Sequence, residues 1–98
     1  MTARCWLFVP ADNEKKLGKI STVEAGAFIL DLEDSVAPAN KPVARRFAAD
    51  CVQTCGLKRD RLWIRVNPLT GPYFDDDLAA VVPAAPGGIV LPKARSPE

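Results

Sequence analysis

The chain contains no histidine, and neither sign of charge dominates it. Its 13 basic and 12 acidic residues give a formal net charge of +1, so we expect no general attraction to nucleic acid or to an anionic membrane. No apolar run reaches the roughly 18 residues that a membrane span needs. The start of the chain also lacks the basic segment and long apolar core of a secretory signal. We therefore expect a globular protein of the cytoplasm.

Cysteine is scarce as well, with 3 in the chain, an odd number that favours free thiols over a disulfide framework. Cys51 and Cys55 lie four residues apart on one predicted helical face, so we interpret them as core residues. A thiolate metal site would need more ligands, and the chain offers neither a histidine nor a second cysteine pair. Cys5 opens the first predicted strand as a small apolar residue.

Strand-like and helix-like patterns alternate along the chain, without a low-complexity tract or an interdomain linker. The predicted order is βαβαβαβ, with strands at residues 5–10, 27–32, 61–66 and 89–92. This alternation predicts a parallel sheet, joined by right-handed crossovers, in the spatial order 1-2-3-4.

Helices are predicted between these strands from their polar starts and their glycine or proline ends. Asp12 or Asn13 is expected to cap the first helix, whose apolar stripe runs to Val23. Asn40 is the expected cap of the second helix, which ends at Gly56.

Polar residues follow each of the apolar runs. A β/α barrel places its chemistry in this way, at the carboxyl ends of its strands. Strand alternation puts Asp31 and Glu33 on one face, and Arg65 and Asn67 on the equivalent face of the next strand. We therefore expect Asp31, Glu33, Arg65 and Lys93 at one rim. The alternative is an arginine–carboxylate pair that only ties neighbouring strand ends together.

Several ordered segments carry a family resemblance: residues 7–11, residues 29–38, Lys41 with Ala44 and Arg45, residues 65–69 and residues 91–93. Together they resemble the HpcH/HpaI aldolase and citrate lyase beta-subunit family over nearly the whole chain. The citrate lyase beta-subunit and malyl-CoA lyase branch is the nearer one. The hydroxy-diacid aldolases of the family use a histidine in the amino-terminal half, which this chain lacks.

The resemblance implies a magnesium-dependent lyase that makes or breaks a carbon–carbon bond between an acyl-CoA thioester and a 2-oxo acid. Its fold would be α/β, the amino-terminal half of a TIM (β/α)8 barrel, since eight strands need roughly 250 residues. Residues 1–98 would be part of a single domain that stops after strand 4, with the direct metal ligands beyond Glu98 and none in this chain. The full-length family implies a homo-oligomer, a trimer or a hexamer.

The resemblance also implies residue roles. Arg65, and Asn67 beside it, match positions that bind substrate carboxylate or carbonyl oxygens. Asp31, Glu33 and Asp34 are expected to take part in catalysis, to orient Arg65 or to hold the water molecules of magnesium. The residues at positions where relatives contact coenzyme A are Phe8, Lys15, Lys16 and Lys19.

The resemblance also gives a role to Lys41 and Arg45, and two other functions remain open. Lys41 and Arg45 are placed to pair with Asp34. In one alternative function, a half-barrel module binds coenzyme A or a protein without catalysis, as a stable oligomer. In the other, a different enolate- or phosphate-handling barrel uses the acidic cluster as direct magnesium ligands, and binding is lost in Glu33→Gln. The chain by itself is expected to lack lyase activity and to bind magnesium no better than an unspecific carboxylate cluster.

Overall fold

One sheet of four parallel strands organises the protein in a computed structural model, which describes residues 6–22 and 25–92. The strands are β1 (Trp6–Pro10), β2 (Ala27–Asp31), β3 (Leu62–Arg65) and β4 (Gly88–Val90). Their spatial order is β1-β2-β3-β4, and each neighbouring pair is parallel. The predicted fold class, four parallel strands alternating with helices as in the first part of a β/α barrel, is confirmed.

Three α-helices connect the strands: α1 (Glu14–Leu17), α2 (Lys41–Thr54) and α3 (Phe74–Val81). Short 3-10 turns accompany them at Ile20–Thr22, Pro38–Asn40, Arg59–Arg61 and Val82–Ala84. No helix among the described residues is long and apolar enough to span a membrane.

The first helix is shorter than predicted. Of the two candidate caps, Asn13 is the one used, because its Oδ1 accepts a hydrogen bond from the main-chain N–H of Lys16 at 3.0 Å. The helix ends at Leu17 because Gly18 follows, a residue with a low helix propensity, and the chain continues in a 3-10 turn. Val23, expected in the same stripe, lies outside the described residues.

The ends of α2 agree with expectation only in part. Asn40 is confirmed at the N-cap position, but its side chain makes no capping bond and donates instead to Asp12 Oδ2 at 3.1 Å. Gly56 is confirmed as the stop, since it follows the C-cap residue Cys55 and has φ +87°, a left-handed conformation that glycine adopts without strain.

The two faces of the sheet differ. Phe28, Leu30, Leu62 and Ile64 are buried in a core with α2 and α3; the helical residues of this core include Ala44, Ala48, Val52 and Val81. On the other face no described helix covers the sheet, and Trp6 and Phe8 of β1 are 48% and 53% exposed. This second face is the side that faces the interior of a closed β/α barrel.

Two glycines bring β4 against its neighbours. A Cβ atom on Gly88 would overlap the Trp63 indole, and one on Gly87 would overlap the main-chain oxygen of Arg59. The Trp63 ring also meets the Trp6 ring edge to face, with centroids 5.5 Å apart. Gly88 therefore lets an indole lie across the sheet on its uncovered face, and Gly87 allows a close approach to the main chain of Arg59.

The described cysteines pack as predicted. Cys51 is buried in the core, Cys55 is half-buried against it, and both are free thiols. Burial, together with the neighbouring Cys55, raises the pKa of the Cys51 thiol to about 12, so it is protonated at neutral pH. Cys5 lies outside the described residues.

Candidate active site

An ion pair between β2 and β3 forms the centre of the candidate site. The parallel register places Asp31 directly beside Arg65, at the carboxyl ends of the two strands. Arg65 Nε donates to Asp31 Oδ1 at 2.8 Å, and Nη2 donates to Oδ2 at 3.0 Å. This bidentate geometry fixes the plane of the guanidinium, which is the arrangement that suits arginine to a recognition role.

Asp31 is fully engaged by its surroundings. The main-chain N–H of Glu33 donates to Oδ1 at 2.9 Å, and Ser35 donates to Oδ2 through its N–H at 3.0 Å and its hydroxyl at 2.7 Å. Burial by itself would raise the pKa of Asp31, but the hydrogen bonds from Arg65, Glu33 and Ser35 outweigh it and lower the pKa to about 2. Asp31 is therefore a permanent anion that holds Arg65, and it is poorly suited to accept a proton.

Two more carboxylates and an aromatic ring surround the guanidinium. Glu33 Oε1 lies 3.5 Å from Arg65 Nε, and Asp34 Oδ2 lies 4.0 Å from Nη2. The Phe8 ring centroid is 4.6 Å from Arg65 Cζ, on the uncovered face of the sheet. The residues Asp31, Glu33, Asp34 and Arg65 are called the rim cluster below. Their meeting confirms the expectation of a common rim, except for Lys93, which lies outside the described residues.

Glu33 differs from Asp31 in its electrostatics. Burial and the neighbouring Asp34 raise the pKa of Glu33, while Arg65 opposes the rise. Its side chain is 19% exposed, whereas that of Asp34 is 81% exposed. The pKa of Glu33 is therefore shifted upward, in the opposite direction to that of Asp31.

Asn67 does not lie where strand alternation placed it. The regular strand ends at Arg65, and the chain then turns, so that Asn67 is 2% exposed and faces α2 and α3 instead of sharing the face of Arg65. Its side-chain amide donates to Leu32 O at 3.0 Å and to Asp77 Oδ2 at 2.6 Å, and its Oδ1 accepts from Lys41 Nζ at 2.9 Å. Because both amide hydrogens are engaged, this geometry favours a positioning role over the expected direct contact with substrate.

The expected pairing of Lys41 and Arg45 with Asp34 is wrong. Lys41 is 5% exposed and donates to main-chain oxygens and to Asn67, while Arg45 Nε donates to Asp77 Oδ1 at 2.8 Å. Both side chains point between the sheet and the helices, whereas Asp34 lies in the exposed loop after β2. The residues Lys41, Arg45, Asn67 and Asp77 are called the buried network below.

Sequence reasoning missed Asp77, which is fully buried and also accepts from the main-chain N–H of Asn67 at 2.7 Å. An acidic run at the start of a helix ordinarily faces solvent beside the helix dipole. The signal that could have found it is spacing, since Asp77 is four residues before the buried Val81 and so shares its helical face.

The candidate coenzyme A residues are accessible. Lys15, Lys16 and Lys19 are exposed on α1 and the turn after it, which follow the carboxyl end of β1. Phe8 reaches the rim cluster from the same strand. Their exposure does not test a contact with coenzyme A, so this assignment stays a prediction.

The described residues do not fit a magnesium site of their own. Within residues 6–22 and 25–92, no three side chains of His, Cys, Asp or Glu are grouped so that they could hold a metal ion. The oxygens of Asp31 are already engaged by Arg65, Glu33 and Ser35. This is evidence against the alternative in which the acidic cluster ligates magnesium directly.

Comparison with known proteins gives consistent family matches. The family model HpcH/HpaI aldolase/citrate lyase matches residues 4–98. Citrate lyase subunit beta of Leuconostoc mesenteroides is 32% identical over 95% of this chain and 31% of its own length. The mitochondrial citramalyl-CoA lyase of Homo sapiens is 32% identical over 97% of this chain and 28% of its own length.

Solved structures of the protein CitE from Mycobacterium tuberculosis share the fold. The complex with magnesium and pyruvate has a TM-score of 0.81 and 37% identity, over 97% of this chain and 38% of that one. The complex with magnesium, acetoacetate and coenzyme A has a TM-score of 0.76 and 35% identity, over 97% of this chain and 34% of that one. The chain therefore spans about a third of the length of these relatives.

Proposed function

Because this chain belongs to the HpcH/HpaI aldolase/citrate lyase family, we propose that it supplies the substrate-binding arginine of a carbon–carbon lyase. The reaction is the cleavage or formation of a 3-hydroxyacyl thioester, from an acyl-CoA and a 2-oxo acid. The observation that carries the proposal is the Arg65 guanidinium, held at the carboxyl ends of the strands by a permanently ionised Asp31. The complexes of M. tuberculosis CitE with pyruvate and with coenzyme A support both substrate classes.

Arg65 keeps donors for a substrate. Of its five N–H groups, one on Nε and one on Nη2 bind Asp31, so the edge formed by Nη1 and the second hydrogen of Nη2 remains for two oxygens of a 2-oxo acid. The guanidinium is 21% exposed, on the uncovered face of the sheet. Since Asp31 fixes it before substrate arrives, little reorganisation is needed on binding.

The other members of the rim cluster have subsidiary roles in this proposal. Glu33, 3.5 Å from Arg65, orients the guanidinium and is the carboxyl group that can exchange a proton with bound water. Asp34, with its exposed carboxylate, orients water at the mouth of the site. Phe8 and the exposed Lys15, Lys16 and Lys19 bind the acyl-CoA.

The remaining parts of the proposal concern the whole protein. Magnesium is the proposed cofactor, with its direct ligands outside the described residues, and the roles above are those of this chain's own side chains. Residues 1–98 are proposed as the amino-terminal part of a single barrel domain. A trimeric or hexameric homo-oligomer in the cytoplasm completes the proposal.

A second candidate function is a coenzyme A- or protein-binding half-barrel without catalysis. It is favoured by the uncovered sheet face, where Trp6 and Phe8 are exposed. Such a module would bind thioester as a stable oligomer and would show no turnover.

Binding to Arg65 can be tested on the chain itself. Oxaloacetate is titrated into 15N-labelled protein, and the Arg65 Nε–H signal is followed by NMR. We expect a saturable shift of this signal, and Arg46→Lys, a change at an exposed arginine on α2, should leave that shift in place. Arg65→Lys has no Nε–H, so there the main-chain amide signal of Val66 is followed, and the shift that it shows in the wild type should be abolished. Turnover is measured in the full-length barrel that carries these residues, with magnesium, acyl-CoA and a 2-oxo acid, by chromatography of thioester and oxo acid. Saturable thioester binding without turnover in that protein would favour the binding module.

A further inference from the structure

The segment between β2 and α2 is held from two sides. The main-chain N–H groups of Glu33 and Ser35 in this segment donate to the Asp31 carboxylate, at 2.9 and 3.0 Å. The main-chain oxygens of the segment meet a cation, the ammonium group of Lys41. The oxygens that accept from Lys41 Nζ belong to Leu32 at 2.8 Å, Glu33 at 3.2 Å and Val36 at 3.1 Å. Residues 32–36 are thus fixed between two opposite charges.

Lys41 is unusual for a lysine in being almost fully buried. It is 5% exposed, its fourth oxygen partner is Asn67 Oδ1 at 2.9 Å, and its Nζ lies 5.1 Å from the Tyr73 ring centroid. None of the ion pairs among the described residues includes it. Burial lowers the pKa of Lys41, and the more distant Asp77 and Asp31 oppose that effect. A buried ammonium is costly, and here its three N–H donors are shared among four acceptors.

The same ammonium joins the segment after β2, which carries Glu33 and Asp34, to the chain after β3. Asn67 links Lys41 to Asp77 and donates to Leu32 O, and it lies two residues after Arg65. The main chain of Glu33 is therefore tied, through Lys41 and Asn67, to the end of the strand that carries Arg65. A shift at Lys41 would change the separation of the Glu33 carboxylate from the guanidinium.

We propose that Lys41 is a positioning residue that sets the Glu33 carboxylate against Arg65. It acts through the main-chain oxygens of residues 32–36 and touches no substrate. The Asp31–Arg65 pair has a separate support, because both of those residues belong to paired strands. The catalytic consequence rests on the proposed lyase function, whereas the effect on Glu33 can be measured without it.

The first test is amide hydrogen exchange, measured by NMR on the chain with Lys41→Met. Exchange at the N–H groups of Glu33 and Ser35 should be at least about tenfold faster, because the segment loses its cationic side. Exchange at Val66, which donates to Val90 O between β3 and β4, should stay within about twofold. Ala48→Gly is the control, since it weakens α2 at a buried position and leaves the hydrogen bonds of Lys41 in place.

The second test separates positioning from simple loss of charge. The 13C signal of the Glu33 carboxyl group is titrated with pH in the wild type, in Lys41→Met and in Asn67→Ala. Asn67→Ala keeps the ammonium but removes its link to β3, and it also serves if Lys41→Met fails to fold. In both variants Glu33 moves from Arg65, so its apparent pKa should rise, and by more in Lys41→Met. An unchanged Glu33 titration in Asn67→Ala, or uniform exchange changes across the sheet, would overturn the proposal.

Kinetics of the full-length barrel carrying these residues give the catalytic readout. Lys41→Met should lower kcat at least about tenfold while KM for the acyl-CoA stays within about threefold, because the thioester site is not altered. Ala48→Gly, which also destabilises the fold, should leave kcat unchanged. If the wild type shows no turnover, the proposed function is refuted. The positioning role of Lys41 is then tested by the titration of Glu33 alone. An unaltered kcat in Lys41→Met, with an active wild type, would refute the positioning role.

Discussion

The rim cluster and the buried network are both built from charged and amide side chains at the same end of the sheet, but they differ in how completely they are satisfied. Asn67 and Asp77 of the buried network are 2% and 0% exposed, and among the described residues no buried side-chain polar atom lacks a partner. In the rim cluster, the Asp34 carboxylate is 81% exposed and Arg65 keeps unused donors. A saturated polar network stabilises one conformation, whereas an unsaturated one can bind a ligand.

The largest change in stability is expected for a substitution in the buried network. Asp77→Ala removes the acceptor of Arg45 and Asn67 and leaves their donors buried, so the free energy of unfolding should fall by about 3 to 5 kcal/mol. Urea unfolding followed by circular dichroism measures it. Asp76→Ala, an exposed neighbour on the same helix, should change stability by less than about 0.5 kcal/mol. Equal losses in the two variants would show that burial does not distinguish these carboxylates.

A smaller change in stability is expected from Asp31, and it should depend on pH. Its pKa is about 2 in the folded chain against an ordinary value of 3.8, so its ionised form stabilises the folded state. That contribution, about 2 kcal/mol, should be fully present above pH 4 and lost as the pH falls toward 2.

Unfolding free energies measured between pH 2 and 6, in the wild type and in Asp31→Asn, provide the check. The difference between the two proteins should shrink as the pH falls through this window. A difference that stays constant with pH would mean that Asp31 is not held as a permanent anion.

Substitutions in the rim cluster, where not every polar group is paired, should change turnover more than stability. Arg65→Lys keeps the positive charge but loses the planar fork, so turnover in the full-length barrel should fall at least about tenfold, or about 1.4 kcal/mol in the transition state. Its thermal midpoint should change less than that of Asp77→Ala. Unchanged kinetics with the 2-oxo acid would refute the substrate role of Arg65 and leave it as a tie between strand ends.

Sequence reasoning reached the rim cluster but not the buried network, for physical reasons. Asp31 and Arg65 are strand residues, so alternation and parallel pairing suffice to place them together. Asn67 lies after the end of β3, where the period of two no longer applies. The spacing of Asp77 from Val81 separates it from Asp75 and Asp76, but an acidic run at a helix start ordinarily faces solvent, and the burial of Asp77 depends on the packing of α3 against α2. The strand order and the glycine stop of α2 depend on local pattern, and both were predictable.

The smallest effect is expected at the periphery of the rim cluster, where Lys15, Lys16 and Lys19 are exposed. Each exposed lysine contributes little by itself, so single changes to alanine should weaken coenzyme A binding by no more than about threefold. The triple variant should weaken it by about tenfold, and high salt should reduce the difference, because screening acts on exposed charges. Calorimetric titration of coenzyme A measures it, with Lys58→Ala as an exposed control. A triple variant that binds as well as the wild type would assign these lysines to an ordinary solvated helix surface, and the acyl-CoA would then contact this chain through other residues.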